Sequence, residues 1–287
     1  MNLIQVGIPK SGNFWIYNLL QQILDQGKIE QRSYIKQHPV YPVAQDWELG
    51  VPGQVDIDIL SIERLANFCL IWPIFREPID DLDAYIDQTN HVWTHSPFTP
   101  NSLTVLPKFD KIIYIIRDPR DVAISMSQYV FSPFIKRHFP VVLPNPEAYL
   151  DYHLERLVKD WIQHVGGYLK HQAELDFHII FYERLLHNFN AELSDLLAYL
   201  EIDVPVEANE TIKTTVDFSR MQAKNPHHLR KGKSGGWKDV LTPVQVKRIA
   251  TLANPLLAML NYPLHQDGVL ANPRRDDLPS VPDPSTV

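Results

Sequence analysis

Residues 1–24 read MNLIQVGIPKSGNFWIYNLLQQIL, and residues 111–128 read KIIYIIRDPRDVAISMSQ. In the first stretch an apolar run, residues 2–7 (NLIQVG), predicts a buried strand that enters a Gly/Pro turn. From Asn13 to Leu24 the apolar residues recur at helical spacing. The second stretch repeats the design: Lys111 to Ile116 is a buried strand, and a helix starts after Pro119 and runs through Gln128, with Asp118 as N-cap. Outward from these, His91 to Thr94 reads as a short strand and Glu147 to Lys170 as a long amphipathic helix. Phe177 to Tyr182 reads as another buried strand, and Ala191 to Leu200 as a helix. Strands alternating with helices predict an α/β fold, a single domain with a central parallel sheet flanked by helices. Its expected extent is 1–271, before a loose Pro- and Asp-rich tail over 272–287. Residues 30–92, interrupted by Pro39, Pro42, Pro52, Pro73 and Pro78, read as loops and short helices around a pocket.

Composition narrows the function. The chain has 287 residues, and 27 Lys+Arg against 34 Asp+Glu give a net charge of −7. A general nucleic-acid binder needs a basic surface, so that class is set aside. A single cysteine, Cys69, leaves neither a disulfide framework nor a cysteine-based zinc site. No stretch approaches the ~18 consecutive apolar residues of a membrane span. Leu3 to Val6 is too short for a secretory signal, and the expected setting is cytoplasmic. Among 12 histidines, His91 with His95 and His227 with His228 suggest metal ligation only superficially. Adjacent residues of an extended chain point to opposite faces, so no metal is expected.

Three segments carry chemistry. Gly7-Ile8-Pro9-Lys10-Ser11-Gly12-Asn13 lies between the first strand and the first helix, where backbone N–H groups and a helix N-terminus favour an anion. The two glycines permit conformations closed to other residues, and Lys10 adds a mobile charge. A Walker A loop places its lysine after the second glycine, followed by a magnesium-binding hydroxyl; here Asn13 and Phe14 stand there instead. Next, Arg117 follows a buried strand at the sheet's carboxyl edge, and Ser125 lies about two helical turns on, so both can meet one anion. The neighbouring Asp118, Arg120 and Asp121 read as capping and surface ion-pair residues. Last, Leu229-Arg230-Lys231-Gly232-Lys233-Ser234-Gly235-Gly236-Trp237 offers three basic residues in a glycine-rich loop. Each segment also has a plain reading, as a βα turn, a capped helix or a solvated charge run.

Taken in order, the three resemble the sulfotransferase family that uses 3′-phosphoadenosine 5′-phosphosulfate (PAPS). Pro9-Lys10-Ser11-Gly12 followed by Trp15 looks like its PKSGxxW loop, KIIYIIRDPRDVAIS like its 3′-phosphate motif, and RKGKSGGWK like its late RKGxxGDWK element. The resemblance implies a P-loop nucleotide-binding-like α/β domain. It implies cofactor contacts from Lys10, Ser11, Gly12, Asn13 and Phe14 at the 5′ end, and from Arg117, Ser125, Arg230, Lys231 and Gly232 at the 3′-phosphate. Trp15, Tyr182 and Phe218 match adenine positions. His95, in Thr94-His95-Ser96-Pro97-Phe98, resembles the THxPF segment that holds the catalytic base. Departures are visible too. Asn13 and Phe14 replace common hydroxyl residues, Trp93 replaces a lysine two residues before the histidine, Gly236 replaces an aspartate, and the KxxxTVxxxE dimer motif is not evident.

The implied reaction moves a sulfuryl group from PAPS to a hydroxyl, with His95 as general base near an ordinary pKa of ~6.5. Lys10 would stabilise the departing bridging oxygen. No metal is implied; the product is 3′-phosphoadenosine 5′-phosphate (PAP). A P-loop nucleoside kinase or NTPase would instead require magnesium-dependent ATP turnover. An inactive relative would bind PAP without transfer. The acceptor is expected to be a hydrophobic small molecule or a carrier-tethered chain, against a pocket walled by residues 30–92 and 126–150. Trp47, Trp72, Phe75, Tyr129, Phe131 and Phe134 are the candidate aromatics there.

Overall fold

The structure is a computed structural model that describes residues 1–224 and 232–265. The expected apolar runs become strands β1 (Leu3–Val6), β5 (His91–Thr94), β6 (Lys111–Ile116) and β7 (Phe177–Phe181). Three more strands arise where loops were expected, namely β2 (Asp58–Ile62), β3 (Asn67–Ile71) and β4 (Phe75–Pro78). The prolines that argued against strands are accommodated at the margins. Pro73 lies between β3 and β4, and Pro78 is the last residue of the edge strand, where a missing N–H breaks no central ladder. All seven strands form one sheet in the order β4-β3-β2-β5-β1-β6-β7. Pairings among β2, β5, β1, β6 and β7 are parallel, while β3 and β4 add an antiparallel meander at one edge.

Alternation along the central strands builds a core on both faces. Ile112, Tyr114 and Ile116 of β6 pack into one cluster with Ile4 and Val6, and with Leu154, Val158 and Trp161 of the helix Pro146–Lys170. Ile113 and Ile115 point the other way, into a cluster with Leu3, Ile16, Leu19 and Leu196. This is the two-residue period of a strand buried on both sides. The first cluster is covered by α2 (Pro119–Tyr129), α3 (Pro146–Lys170) and α6 (Pro243–Met259), and the second by α1 (Asn13–Gln26), α4 (Phe189–Leu200) and α5 (Val206–Thr215). Asp118 caps α2 as expected, accepting from the Arg120 N–H, and Asn145 caps α3 ahead of Pro146. Thr242 and Gln245 close α6 with a reciprocal capping box. Tyr182 opens a short helix, Tyr182–His187, instead of ending β7. The C-terminal segment 272–287 lies outside the described residues.

Candidate active site

Because five strands run parallel, the residues that follow them gather along one carboxyl edge. In spatial order these are Arg64 after β2, His95 after β5, Lys10 after β1, Arg117 after β6 and Tyr182 after β7. All five line a single cavity of about 860 Å³, together with Gly12, Asn13, Phe14, Trp15, Ser125, Phe218 and Gly232. The described candidate residues, except Ser11, which is buried within its loop, thus come to one cavity. Arg230, Lys231, His227 and His228 lie outside the described residues.

The phosphate loop is built for close approach. Gly12 holds φ +102 at the N-cap of α1, and a Cβ there would sit 2.6 Å from the Tyr182 ring. Gly7 needs space, not an unusual backbone, since its Cβ would meet Asn13 Oδ1 at 2.3 Å and Ile115 at 2.5 Å. Lys10 also takes a positive φ of 74, a strained geometry for a side-chain-bearing residue. The Asn13 amide braces the loop by donating to the Ile8 carbonyl at 2.8 Å, and Gln5 donates to the Asn13 carbonyl at 2.7 Å. The N-terminus of α1 has no side-chain cap and no acidic residue in its first turn; the Trp15 and Ile16 N–H groups donate to the Gly12 carbonyl at 2.9 and 3.1 Å. Ser11 lies fully buried in the loop, its hydroxyl without a hydrogen-bond partner.

Arg117 fastens this loop to the late one. Its guanidinium donates to the Lys10 carbonyl and to the Lys233 carbonyl, each at 3.1 Å, and lies 4.1 Å above the Tyr182 ring. Lys10 extends its ammonium 4.2 Å over the Tyr129 ring. Trp15 packs edge-on to Tyr182 at 5.6 Å and donates from its indole to the Val216 carbonyl. Phe218 is pressed against Gly232, where a Cβ would lie 2.4 Å from the ring.

Asp118, Arg120 and Asp121 are not surface ion-pair residues. Arg120 is 1% exposed and grips Asp118 with Nε at 2.8 Å and a terminal nitrogen at 2.6 Å. Its guanidinium also stacks 3.8 Å over Trp237. Asp121 accepts from the Gly235 and Trp237 N–H groups at 2.7 and 3.0 Å, clamping the late loop onto α2. Burial pushes the Asp121 carboxyl up to about 6. Glu183, below it, accepts from the Asp118 N–H and the Tyr262 hydroxyl, each at 3.0 Å, and burial pushes it up to about 7. The run DPRD suggested solvated charges; contacts with Glu183, 65 residues on, and with Gly235, Trp237 and Pro263, more than a hundred residues on, draw it inside.

His95 donates from Nδ1 to the Gly7 carbonyl at 2.5 Å. That bond fixes the neutral tautomer and leaves Nε2 as the acceptor. Burial, with a smaller push from the Lys10 charge, lowers its pKa from 6.5 to about 4, against the Gly7 bond acting the other way. The ordinary value expected from the sequence is therefore corrected downward. Trp93 packs edge-on against His95 at 5.2 Å.

The acceptor side differs from expectation in its residues. Trp72 and Tyr129 line the cavity, but Trp47, Phe75, Phe131 and Phe134 are not among its walls. Trp47 and Phe75 pack instead on the main core. Aliphatic residues from the unexpected strands, Ile59 and Leu70, take their place with Ile57, Met126 and Val240. Among the described residues no cluster of three metal-ligating side chains occurs, and no helix is long and apolar enough to cross a membrane.

Fold and loop together put the chain among the phosphate-loop nucleotide-binding α/β proteins. Within that class it belongs to the sulfotransferases: the sulfotransferase domain matches residues 2–260. Sulfotransferase 1 family member D1 of Rattus norvegicus is 27% identical over 263 residues, covering 84% of this chain and 78% of the relative. Sulfotransferase 1A1 of Canis lupus familiaris is 24% identical over 262 residues, with shares of 84% and 78%. Two solved structures share the fold. Mouse sulfotransferase SULT7A1 complexed with PAP has a TM-score of 0.57 at 20% identity, covering 89% of this chain and 84% of that one. Retinol dehydratase in a complex with retinol and PAP has a TM-score of 0.59 at 16% identity, covering 91% and 83%.

Proposed function

We propose that this enzyme transfers the sulfuryl group of PAPS to a hydroxyl on an apolar small molecule or a carrier-tethered chain, in the cytosol. The observation that carries this is the order along one sheet edge, with an imidazole locked as a neutral acceptor beside a lysine and an arginine on the same cavity. The residues suit the cofactor. An uncapped helix N-terminus, an orphaned buried hydroxyl at Ser11 and a glycine cradle provide for a phosphosulfate. Lys10, Ser11, Gly12 and the backbone of Asn13 and Phe14 would hold that end. Arg117 and Ser125, with Arg230, Lys231 and Gly232, would hold the 3′-phosphate, and Trp15, Tyr182 and Phe218 the adenine.

The cofactor supplies an activated sulfuryl group, whose bond to the 5′-phosphate oxygen breaks as the acceptor oxygen bonds to sulfur. His95 Nε2 takes the hydroxyl proton as that bond forms, and the Gly7 carbonyl stabilises the resulting imidazolium through Nδ1–H. Lys10 compensates charge on the departing phosphate, and the apolar wall of Ile57, Ile59 and Leu70 excludes water from the transfer. The names of PAP-bound relatives and the family assignment support the cofactor.

The test is calorimetry with PAP followed by transfer of labelled sulfate from PAPS to a panel of alcohols and phenols. Wild-type protein should bind PAP, and Arg117→Ala should weaken it by roughly tenfold or more, as expected for a lost charge-assisted contact. Equal affinity of wild-type protein for PAP and for an analogue lacking the 3′-phosphate would overturn the Arg117 assignment. Binding of PAP with no transfer to any hydroxyl would overturn the enzyme reading.

A further inference from the structure

His95 stands where the cavity changes character. Register pairs Ile59 with both Trp93 and Leu70, so Ser61 is level with His95. On the carboxyl side of that level the lining continues with Ser61, Glu63 and Arg64. On the amino side it is Ile59 and Leu70, then Ile57 and Trp72. These four share one face of the sheet. Leu60, Ile62, Cys69 and Ile71 alternate with them and enter the main core on the other face. Gln54, the polar neighbour of this floor, is 8% exposed and donates its amide N–H to the Trp72 carbonyl. An apolar track therefore leads away from the histidine, and its floor carries no side chain that would hold a second polar group.

The same register gives its length. His95 lies two residues beyond Trp93, and Trp72 lies two residues beyond Leu70 in the opposite direction, with β2 between their strands. Four residues at ~3.3 Å and two strand spacings at ~4.8 Å put Trp72 about 16 Å from His95 along the diagonal. Trp72 closes the far end. Its ring stacks on Phe139 at 5.5 Å and tilts against Phe134 at 6.2 Å. Neither phenylalanine lines the cavity, so both back the indole from outside. At 40% exposure the indole still presents apolar surface that no residue of the protein covers.

We propose that the acceptor is a long-chain primary alcohol and that Trp72 sets the chain length the enzyme prefers. The hydroxyl sits at His95, the chain lies over Ile59, Leu70 and Ile57, and its last carbons cover the Trp72 ring. A track that is long and only two strands wide suits an extended chain more than a fused-ring body. Across about 16 Å a chain of about ten carbons or more is needed to reach the indole. The proposal rests on the sulfuryl-transfer reading of the cavity and adds the shape and length of the acceptor.

The experiment measures kcat/KM for n-hexanol, n-decanol and the compact ten-carbon alcohol decahydronaphthol, using PAPS and labelled sulfate. Wild-type enzyme should prefer n-decanol to n-hexanol by roughly tenfold or more, as the added buried methylenes predict, and to decahydronaphthol by a similar factor. Trp72→Ala should lower the decanol-to-hexanol ratio by roughly fivefold or more, and Trp72→Phe should keep most of it. Each ratio is taken within one protein, so a loss of folded enzyme cancels from it. If Trp72→Ala does not fold, the wild-type comparison of the two ten-carbon alcohols decides the matter. Calorimetry of n-decanol with PAP-loaded protein, which needs no turnover, should show binding in wild type that Trp72→Ala weakens by a like factor. A preference for decahydronaphthol, or a decanol-to-hexanol ratio unchanged in Trp72→Ala, would overturn the track and leave sulfuryl transfer standing. Absence of transfer to every alcohol, with n-decanol still bound more tightly by wild type than by Trp72→Ala, would strike the transfer reading alone.

Discussion

His95 unites two properties that a lone histidine in a sequence does not announce. Its Nδ1–H is committed to the Gly7 carbonyl, and its environment lowers the pKa to about 4. A base must be unprotonated to act, so activity should persist as pH falls through 6.5 and decline only on approaching 4. The acid limb of kcat/KM, which reports the free enzyme, should therefore lie well below the ordinary histidine value. A limb between 6 and 7 would show that the proton is taken by another group. Replacing His95 with Ala should lower turnover by ~10²-fold or more. PAP affinity should hold, because the residues proposed to hold the cofactor lie after β1, β6 and β7, in α2 and beyond α5, and none depends on the His95 side chain for its assigned contact. The sequence identified this histidine through its THSPF context. It could not supply the lowered pKa, which comes from burial in the assembled fold, against the opposing bond to a carbonyl 88 residues away in the chain.

Elements divide by how locally their cause is written. Strands β1, β6 and β7 were legible because each is buried on both faces and so reads as a continuous apolar run. Strands β2, β3 and β4 alternate between buried and less buried positions in five residues or fewer, and prolines flank them. They earn strand structure from the neighbour they pair with, which a linear reading does not contain. Helix α6 was hidden similarly, with Pro255 inside it. The site shows the same split. The anion loops sit immediately after strands, whereas the clamp from Asp121 to the Gly235 and Trp237 N–H groups spans more than a hundred residues. That clamp holds the loop that begins at Gly232 against α2. Asp121→Ala should orphan two N–H donors, one of them fully buried, and destabilise the fold by about 2 kcal/mol or more. PAP affinity should fall with it, measured by calorimetry, although Asp121 is not assigned a cofactor contact. Asp121→Asn keeps one acceptor oxygen and should show the smaller loss. Unchanged PAP affinity in the alanine variant would mean that the loop holds its place without the clamp.

On the scale of the whole molecule, a sheet buried on both faces leaves titratable groups in the interior, and these make stability depend on pH in opposite senses. His91 and His164 are held neutral by burial, with pKa values lowered to about 3. Their unfolded forms take up protons below 6.5, so their contribution is complete above that pH and is lost as pH falls. Glu183 acts in reverse. Its folded pKa of about 7 exceeds the ordinary 4.5, because burial outweighs the Asp118 N–H bond. Between these values the unfolded chain has lost the proton that the folded protein retains, so stability declines as pH rises from 4.5 and levels off above 7. Glu183→Gln isolates this contribution, since the amide oxygen can still accept one hydrogen bond and the Tyr262 hydroxyl can rotate to accept from the amide nitrogen. The histidines and Asp121 titrate alike in both proteins and cancel from the difference. The stability of wild type minus that of Glu183→Gln should therefore drop by roughly 1–3 kcal/mol between pH 5 and pH 8. Denaturant unfolding across that range reads it directly. A difference independent of pH would mean that Glu183 is ionised throughout, stabilised by the Arg117 and Arg120 charges around the buried network. A difference that rises with pH would reverse the sign assigned to its burial.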